Sequence, residues 1–114
     1  MTKAGAKWKR GSLVTAAPPG DYGNPRPALV VQSDIFSEHP SVTVLLISGG
    51  RVNAPLLRID VAPTPKNGLQ KPSQIMIDKP HTLRREKIGK VFGQIEEETQ
   101  IAVNRALAVF LGLA

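Results

Sequence analysis

One arginine in this chain is held between two prolines at the entrance to an apolar run. Arg26 lies between Pro25 and Pro27, and the aliphatic residues 28–31 follow. Proline fixes its own φ and restricts the residue before it to extended geometry, so the backbone around this guanidinium has few conformations. A guanidinium fork matches phosphate oxygens well. Arg26 is therefore a candidate phosphate-binding group, although a surface charge beside a proline-shaped turn explains the pattern equally well.

Other polar side chains stand near the ends of predicted strands: Ser48, Asp78 and His81. Strand ends on one rim of a small barrel converge, so these residues could share a site with Arg26. Cleavage of RNA by its own 2′-hydroxyl needs a proton acceptor, a proton donor and a cation for the charged transition state. Ser48 could bond a non-bridging oxygen, and Asp78 or His81 could move a proton. Taken singly, Ser48 and Asp78 are explained more simply as turn-capping residues, and His81 as an exposed loop histidine.

The composition excludes several other kinds of chemistry. The chain has no cysteine, so disulfides, thiolate nucleophiles and zinc–sulfur sites are excluded. The two histidines, His39 and His81, are far apart and show no metal-ligand spacing. Gly49-Gly50 is too short for a phosphate-cradling loop. We therefore expect no metal and no cofactor.

Charge and hydropathy indicate the class of partner. The net charge is +6, with 15 Lys and Arg against 9 Asp and Glu, which favours nucleic acid or an acidic protein segment. Residues 1–10 are interpreted as a basic arm, with Trp8 able to fold back, and residues 11–114 as one domain. No apolar stretch approaches the ~18 residues of a membrane span, and the basic start lacks the apolar run of a secretory signal. The absence of cysteine fits a protein of the reducing cytoplasm.

The pattern of apolar residues predicts about six short strands and one C-terminal helix. The strands are predicted at Gly11–Ala17, Ala28–Gln32, Ser41–Ser48, Leu56–Val61, Ser73–Asp78 and Lys90–Gln94. Asn67-Gly68 suggests a tight hairpin turn, and Thr82–Lys87 one helical turn. The helix, Glu96–Leu111, has an apolar stripe that includes Val103 and Phe110. Because strands and helices do not alternate, the fold class is mainly β (α+β): a strongly bent antiparallel barrel with a C-terminal helix.

From Lys9 onward the chain carries several blocks that match one family. They are KRG at Lys9–Gly11, GDYGNPRPALVVQSD at Gly20–Asp34, VLLISGG at Val44–Gly50, GLQKPSQIMIDK at Gly68–Lys79, and the GQI…LAVFLGL ending from Gly93. In these blocks the sequence resembles the MazF/PemK toxins of bacterial toxin–antitoxin pairs.

The resemblance implies a fold, an activity and partners. It implies an SH3-like barrel, a homodimer, and inhibition by a mostly disordered acidic antitoxin. The implied activity is sequence-selective, metal-independent cleavage of single-stranded mRNA, which leaves a 2′,3′-cyclic phosphate and a 5′-hydroxyl. RNA would lie in a basic groove across the dimer, where the antitoxin would also bind.

The family's site residues transfer to individual positions. The central arginine falls on Arg26, and a hydroxyl residue at the end of the third strand falls on Ser48, where threonine is commoner. Some members have an arginine late in the fifth strand; here Met76 takes that place, and Asp78 keeps the aspartate two residues on. Candidates to replace the missing cation are Arg51, Lys79, Arg84 and Arg85. Expected RNA-binding residues are Tyr22, Asn24, Gly49, Arg51, Asn53, Gln74, Lys79 and His81.

Two alternatives remain open at this level. CcdB-like gyrase poisons share the fold but end in Trp-Gly-Ile on the last helix, whereas this chain has Phe110 to Leu113 there and its tryptophan at position 8. A non-catalytic barrel that binds peptide or nucleic acid is the other. The combination of Arg26 and Ser48 favours the endoribonuclease.

Overall fold

The computed structural model describes residues 8–18 and 24–114 of the chain. These form one antiparallel sheet of six strands and one C-terminal helix, and the strand order across the sheet is β4-β5-β3-β2-β1-β6. The elements are β1 Ser12–Ala16, β2 Arg26–Val30, β3 Ser41–Ser48, β4 Arg58–Val61, β5 Ser73–Arg84, β6 Ile88–Gln94 and α1 Glu97–Phe110. The prediction of a mainly β domain with a C-terminal helix is confirmed.

Both faces of the sheet are buried, because its side chains alternate between two hydrophobic clusters. One cluster occupies what we call the inner face, lined by Val14, Ala28, Val44 and Leu46, and it also contains Trp8 and Leu83. The other occupies the helix face, where Leu13, Leu29, Leu45 and Ile75 pack against Val103 of α1. Among the described residues no helix contributes to the cluster on the inner face, which consists of strand residues and Trp8.

A bulge in β5 bends the sheet around the inner face. Leu45 of β3 pairs with Pro80, but Ile47, two residues on, pairs with Ile75, so β5 has extra residues between these pairs. An insertion of this kind kinks a strand and increases its twist. Among the described residues no ladder joins β4 to β6, so closure into a barrel is not detected in the strand pairing.

The prediction of a helical turn at Thr82–Lys87 is wrong for its first half. Residues 82–84 continue β5, since Leu83 pairs with Val42 and Arg84 with Ser41. A short 3-10 turn, Arg85–Lys87, follows and leads into β6. The β-branched partners on β3 and the burial of Leu83 outweigh the local pattern that suggested a helix.

The prediction of a tight hairpin at Asn67-Gly68 is also wrong. β4 and β5 do pair, but residues 62–72 join them, and Asn67 is completely buried within that connection. Its side-chain oxygen accepts the N–H groups of Thr64 and Leu69, and its amide nitrogen donates to the carbonyl of Ala62. The buried Asn67 side chain therefore holds the backbone of the connection together through hydrogen bonds, and the residue does not form an exposed hairpin turn.

Two glycines allow this connection to pack closely on β6. Gly68 has a φ of 70°, and a Cβ added there would lie 2.4 Å from the carbonyl oxygen of Phe92. A Cβ on Gly93 would lie 2.0 Å from the carbonyl oxygen of Asn67. Any side chain at either position would push the connection away from the sheet.

Helix α1 begins within one residue of the predicted start and uses only part of its apolar stripe. Val103 is fully buried, and Ala106 and Leu107 pack partly against the same cluster. Phe110 and Leu111, by contrast, are 43% and 58% exposed. The last turn of the helix therefore presents apolar surface to solvent.

Glu96, at the N-terminus of α1, ties the helix to the connection around Asn67. Its carboxylate accepts hydrogen bonds from the Thr64 hydroxyl and, at 3.1 Å, from the Asn67 amide. Burial by itself would raise the pKa of Glu96, but these hydrogen bonds and the charge of Lys66 outweigh it, so the pKa lies below its ordinary value of 4.5.

We expect the lowered pKa of Glu96 to make folding pH-dependent. The native carboxylate binds its proton less readily than the unfolded one, so its stabilising effect is complete above about pH 4.5 and is lost as the pH falls through the native pKa. Urea unfolding between pH 3 and 7 should therefore show a steeper acid loss for the unmodified protein than for Glu96→Gln. Parallel curves for the two proteins would contradict the assignment.

Candidate active site

The strand register carries Arg26 and Ser48 to the same end of the sheet. Ala28 pairs with Leu46 in the antiparallel ladder of β2 and β3. The ladder ends at this pair. Two residues before Ala28 the chain has Arg26, where β2 begins, and two residues after Leu46 it has Ser48, where β3 ends. Residues two apart in a strand project to the same face, so Arg26 and Ser48 lie at one end of the inner face, beyond Ala28 and Leu46.

This pair belongs to a longer line of polar residues across the end of the sheet. Ser48 also pairs with Gln74 of β5, and Gln74 pairs in turn with Asp60 of β4. We call these four residues, Arg26, Ser48, Gln74 and Asp60, the polar row. It runs across four neighbouring strands at one border of the inner face, where the apolar cluster ends.

Ser48 has one hydrogen bond within the loop that follows it. Its Oγ accepts the N–H of Gly50 at 3.0 Å, which is the turn-capping role expected from the sequence. A serine hydroxyl has one proton to donate as well as lone pairs to accept. Capping the turn therefore fixes the oxygen in place and leaves its proton available for a phosphate oxygen.

Gln74 is buried and anchors the loop that joins β3 to β4. Its side chain is only 5% exposed. Its oxygen accepts the N–H of Val52 at 3.0 Å, and its nitrogen donates to the carbonyl of Val52 at 3.1 Å and to Asp60 at 2.9 Å. This amide thus pairs with the main chain of Val52 much as a strand would, and it holds the loop beside Ser48.

The same loop carries other residues that the sequence suggested for RNA binding. Arg51 forms an ion pair with Asp60 at 3.7 Å, and its side chain is 68% exposed. Gly49 and Asn53 are exposed. Arg51 and Asn53 are thus presented to solvent from a loop that Gln74 and Asp60 hold in place.

Asp78 is placed apart from the polar row and is bound to Arg58. It lies four residues beyond Gln74 on β5, at most about 13 Å along the strand. Its Oδ1 accepts a hydrogen bond from the Arg58 guanidinium, and their side chains are 21% and 14% exposed. Within one chain, therefore, the structure does not bring Asp78 to the pair of Arg26 and Ser48.

Arg58 is a cation that the sequence reasoning missed. It pairs across β4 and β5 with Met76, the position where the family resemblance leads us to expect an arginine, and thus lies on the same face. Of the cations considered as replacements, Arg85 contacts the carbonyls of Ser37 and His39 instead. Only the pairing of β4 with β5 reveals Arg58, because it stands 18 positions before Met76 in the sequence.

The remaining predicted residues are dispersed. His81 pairs with Val44, and its Nδ1 lies 3.1 Å from the carbonyl oxygen of Lys79. Lys79 and Asn24 are exposed, and Tyr22 lies outside the described residues. Within residues 8–18 and 24–114, no three acidic or histidine side chains come together in a way that could hold a metal ion. No helix in this part of the chain is long and apolar enough to cross a membrane.

Comparison with known proteins agrees with the motifs. Residues 9–111 match the family of PemK-like, MazF-like toxins of type II toxin–antitoxin systems. The chain belongs to this family. It is 44% identical over 107 residues to a probable endoribonuclease MazF of Mycolicibacterium smegmatis, covering 93% of this chain and 98% of that protein. The predicted family and its enzyme class, endoribonuclease, are confirmed at this level.

Solved structures with the same fold come from related toxins. One is a mycobacterial endoribonuclease in complex with its cognate antitoxin, 25% identical, with a TM-score of 0.76 over 94% of this chain and 97% of that one. Another is the Mycobacterium tuberculosis toxin MazF-mt6, 21% identical, with a TM-score of 0.74 over 90% of this chain and 98% of that one. The second likeness shows the fold alone.

Proposed function

We propose that this chain is the toxin of a bacterial toxin–antitoxin pair and cleaves single-stranded mRNA at selected sequences without a metal ion. The products would be a 2′,3′-cyclic phosphate and a 5′-hydroxyl. The observation that carries the proposal is the register of β2 with β3, which carries Arg26 and Ser48 to the same end of the inner face in a chain of this toxin family. An arginine and a hydroxyl on one face suit a phosphate that gains charge during the reaction.

In the proposed reaction the RNA supplies its own nucleophile. The ribose 2′-hydroxyl attacks the neighbouring phosphorus, and the 5′-oxygen of the next nucleotide leaves. Arg26 would hold non-bridging oxygens through its fork, and Ser48 would donate its hydroxyl proton to one of them. Both contacts would strengthen as negative charge develops on those oxygens, and stronger binding of the transition state is what accelerates the chemical step.

Proton transfer is assigned to Asp78, with His81 as the alternative on the same strand: the group would take the proton of the 2′-hydroxyl and give it to the leaving 5′-oxygen. Arg58 engages Oδ1 of Asp78, which leaves Oδ2 for the reaction. Histidine ordinarily titrates near neutral pH and can serve as acid or base. One chain does not bring Asp78 to Ser48, and a group that transfers a proton must lie within hydrogen-bond reach of it. The proposal therefore requires the Asp78 or His81 that acts at this phosphate to come from the second copy of the proposed homodimer.

The partners proposed for the toxin are RNA, a second copy and an acidic antitoxin. The net charge of +6 suits the two polyanionic partners, RNA and the acidic antitoxin. The exposed apolar residues at the end of α1, Val109, Phe110 and Leu111, suit burial against another chain. A related mycobacterial endoribonuclease has been solved with its cognate antitoxin. We take the bent sheet to be the SH3-like fold of these toxins. The protein would act in the cytoplasm, where mRNA is found.

Incubation with RNA in the presence of EDTA tests the proposal. Purified protein and a long single-stranded RNA of mixed sequence should give discrete fragments in excess EDTA. Their 3′ ends should carry cyclic phosphate, and their 5′ ends should accept phosphate from a kinase without prior dephosphorylation. Intact RNA, or fragments that need added Mg²⁺, would overturn the proposal. Trapped gyrase–DNA complexes in expressing cells would support the gyrase-poison alternative instead.

A further inference from the structure

A cavity of about 560 Å³ opens on the helix face directly behind the polar row. Its walls include Pro27, Gly49, Leu69, Lys71, Lys90 and Phe92. Pro27 and Gly49 are the chain neighbours of Arg26 and Ser48, and neighbouring residues in a strand project to opposite faces. The cavity and the polar row therefore meet at the border of the sheet, one on each side.

Lys71 is positioned against the residue that follows Ser48. A methyl group added to Gly49 would lie 2.6 Å from Cε and 2.8 Å from Nζ of Lys71, so the lysine chain lies across this glycine. Pro72 restricts Lys71 to extended backbone. The hydroxyl of Ser73 donates to the carbonyl of Lys71 at 2.8 Å, and Ser73 is buried. The local backbone thus aims the ammonium at the end of β3.

The cavity combines positive charge with apolar surface. Within the described residues the ion pairs join Arg51 to Asp60 and Arg58 to Asp78, and neither includes Lys71 or Lys90. The ring of Phe92 and the side chain of Leu69 pack partly on the helix-face cluster and also line the cavity. Aromatic and apolar walls accept a base, whereas two lysines accept a phosphate.

From this geometry we infer that the cavity binds the nucleotide next to the cleaved bond. Its base would pack on Phe92 and Leu69, and its phosphate would bind Lys71, with Lys90 nearby. The RNA would cross the border of the sheet at Gly49, with the cleaved phosphate on the inner face and its neighbour on the helix face. The inference rests on the proposed endoribonuclease activity and adds a subsite to it.

Titration with single nucleotides tests the subsite without any cleavage. The four nucleoside 3′,5′-bisphosphates would be added in turn to ¹⁵N-labelled protein. At least one should shift the amide signals of Gly49, Leu69 and Phe92, and Lys71→Met should weaken that binding about tenfold. Lys71→Arg should retain it, and Lys66→Met, which removes an exposed lysine elsewhere, should not change it. The absence of shifts at these amides with all four nucleotides would overturn the inference.

Gly49→Ala gives an independent variant, because its methyl group must displace the Lys71 side chain. It should weaken bisphosphate binding while Lys71 itself remains. If binding is unchanged in both Gly49→Ala and Lys71→Met, Lys71 does not hold the phosphate. If an acidic peptide shifts the three amides and no bisphosphate does, the cavity is a peptide site and the inference is wrong.

Salt dependence separates failure of the subsite from failure of the nuclease proposal. A fully 2′-O-methylated RNA of mixed sequence cannot be cleaved by its own hydroxyl. Removing one phosphate contact should reduce the slope of log affinity against log salt by about 0.7 for a single strand. That reduction in Lys71→Met, and not in Lys66→Met, supports the subsite even if EDTA experiments show no cleavage. If Lys71→Met leaves the slope unchanged while the unmodified protein cleaves RNA normally, the subsite inference is wrong and the nuclease proposal stands.

Discussion

Replacing Arg26 with alanine should lower the rate of RNA cleavage by about a thousandfold. Removal of one preorganised donor from a developing anion reduces turnover by about 10²–10³ in well-studied enzymes, and a guanidinium supplies two donors and a charge. The prolines on either side remain in the variant, so the loss comes from the side chain. Single-turnover cleavage of one RNA, with enzyme in excess, measures the rate directly.

Two companion variants make the Arg26 result interpretable. Arg26→Lys keeps the charge but not the fork, and it should recover only part of the rate, because one ammonium cannot bridge two oxygens as a guanidinium does. Arg105→Ala removes an exposed arginine from α1 and should cleave normally. Urea unfolding should show that Arg26→Ala remains folded. Normal cleavage by folded Arg26→Ala would refute a catalytic role for this arginine.

The sequence predicted those parts of the fold that depend on local pattern. The aliphatic run of β3, Ser41–Ser48, and helix α1 appear within one or two residues of their predicted limits. The sequence also suggested that Arg26 and Ser48 could share a site, because strand ends on one rim of a small barrel converge, and the register of β2 with β3 carries both residues to the same end of the inner face.

The parts that could not be predicted depend on contacts between distant segments. Asn67-Gly68 has the composition of an exposed turn. Asn67 is buried only because the connection that contains it packs closely on β6. Arg58 became a candidate site residue because it pairs with Met76 and forms an ion pair with Asp78, and both contacts arise only from the pairing of β4 with β5. The bulge in β5 likewise depends on its register with β3. No local pattern in a single sequence specifies such pairings.

Gln74 shows how the structure changes an expected role. The sequence suggested it as a base-reading residue, but the residue is buried, its amide oxygen accepts the N–H of Val52, and its amide nitrogen donates to Val52 and Asp60. A side chain engaged in this way can read a base only by releasing the loop beside Ser48. We therefore expect Gln74 to act by positioning that loop.

Gln74→Met is the variant that distinguishes positioning from base reading, because methionine has a similar length but cannot form these hydrogen bonds. Loss of the bonds should lower the free energy of unfolding by about 1–2 kcal/mol. The freed loop should also reduce cleavage by about tenfold to a hundredfold, since small misplacements of reacting groups have effects of that size. The set of cleaved sequences should stay the same, as read by sequencing of fragment ends.

The opposite pattern would identify Gln74 as a reader of bases. In that case Gln74→Met would be nearly as stable as the unmodified protein and would cleave at new or fewer sequences. Gln100→Met on α1, whose amide bonds only Asn104 among the described residues, is the matched control for loss of a glutamine and should change neither property. The two roles thus predict different results. Loss of an anchor lowers stability without changing sequence preference, because the anchor supports the loop whichever base lies in the site. Loss of a base reader changes sequence preference with little effect on stability.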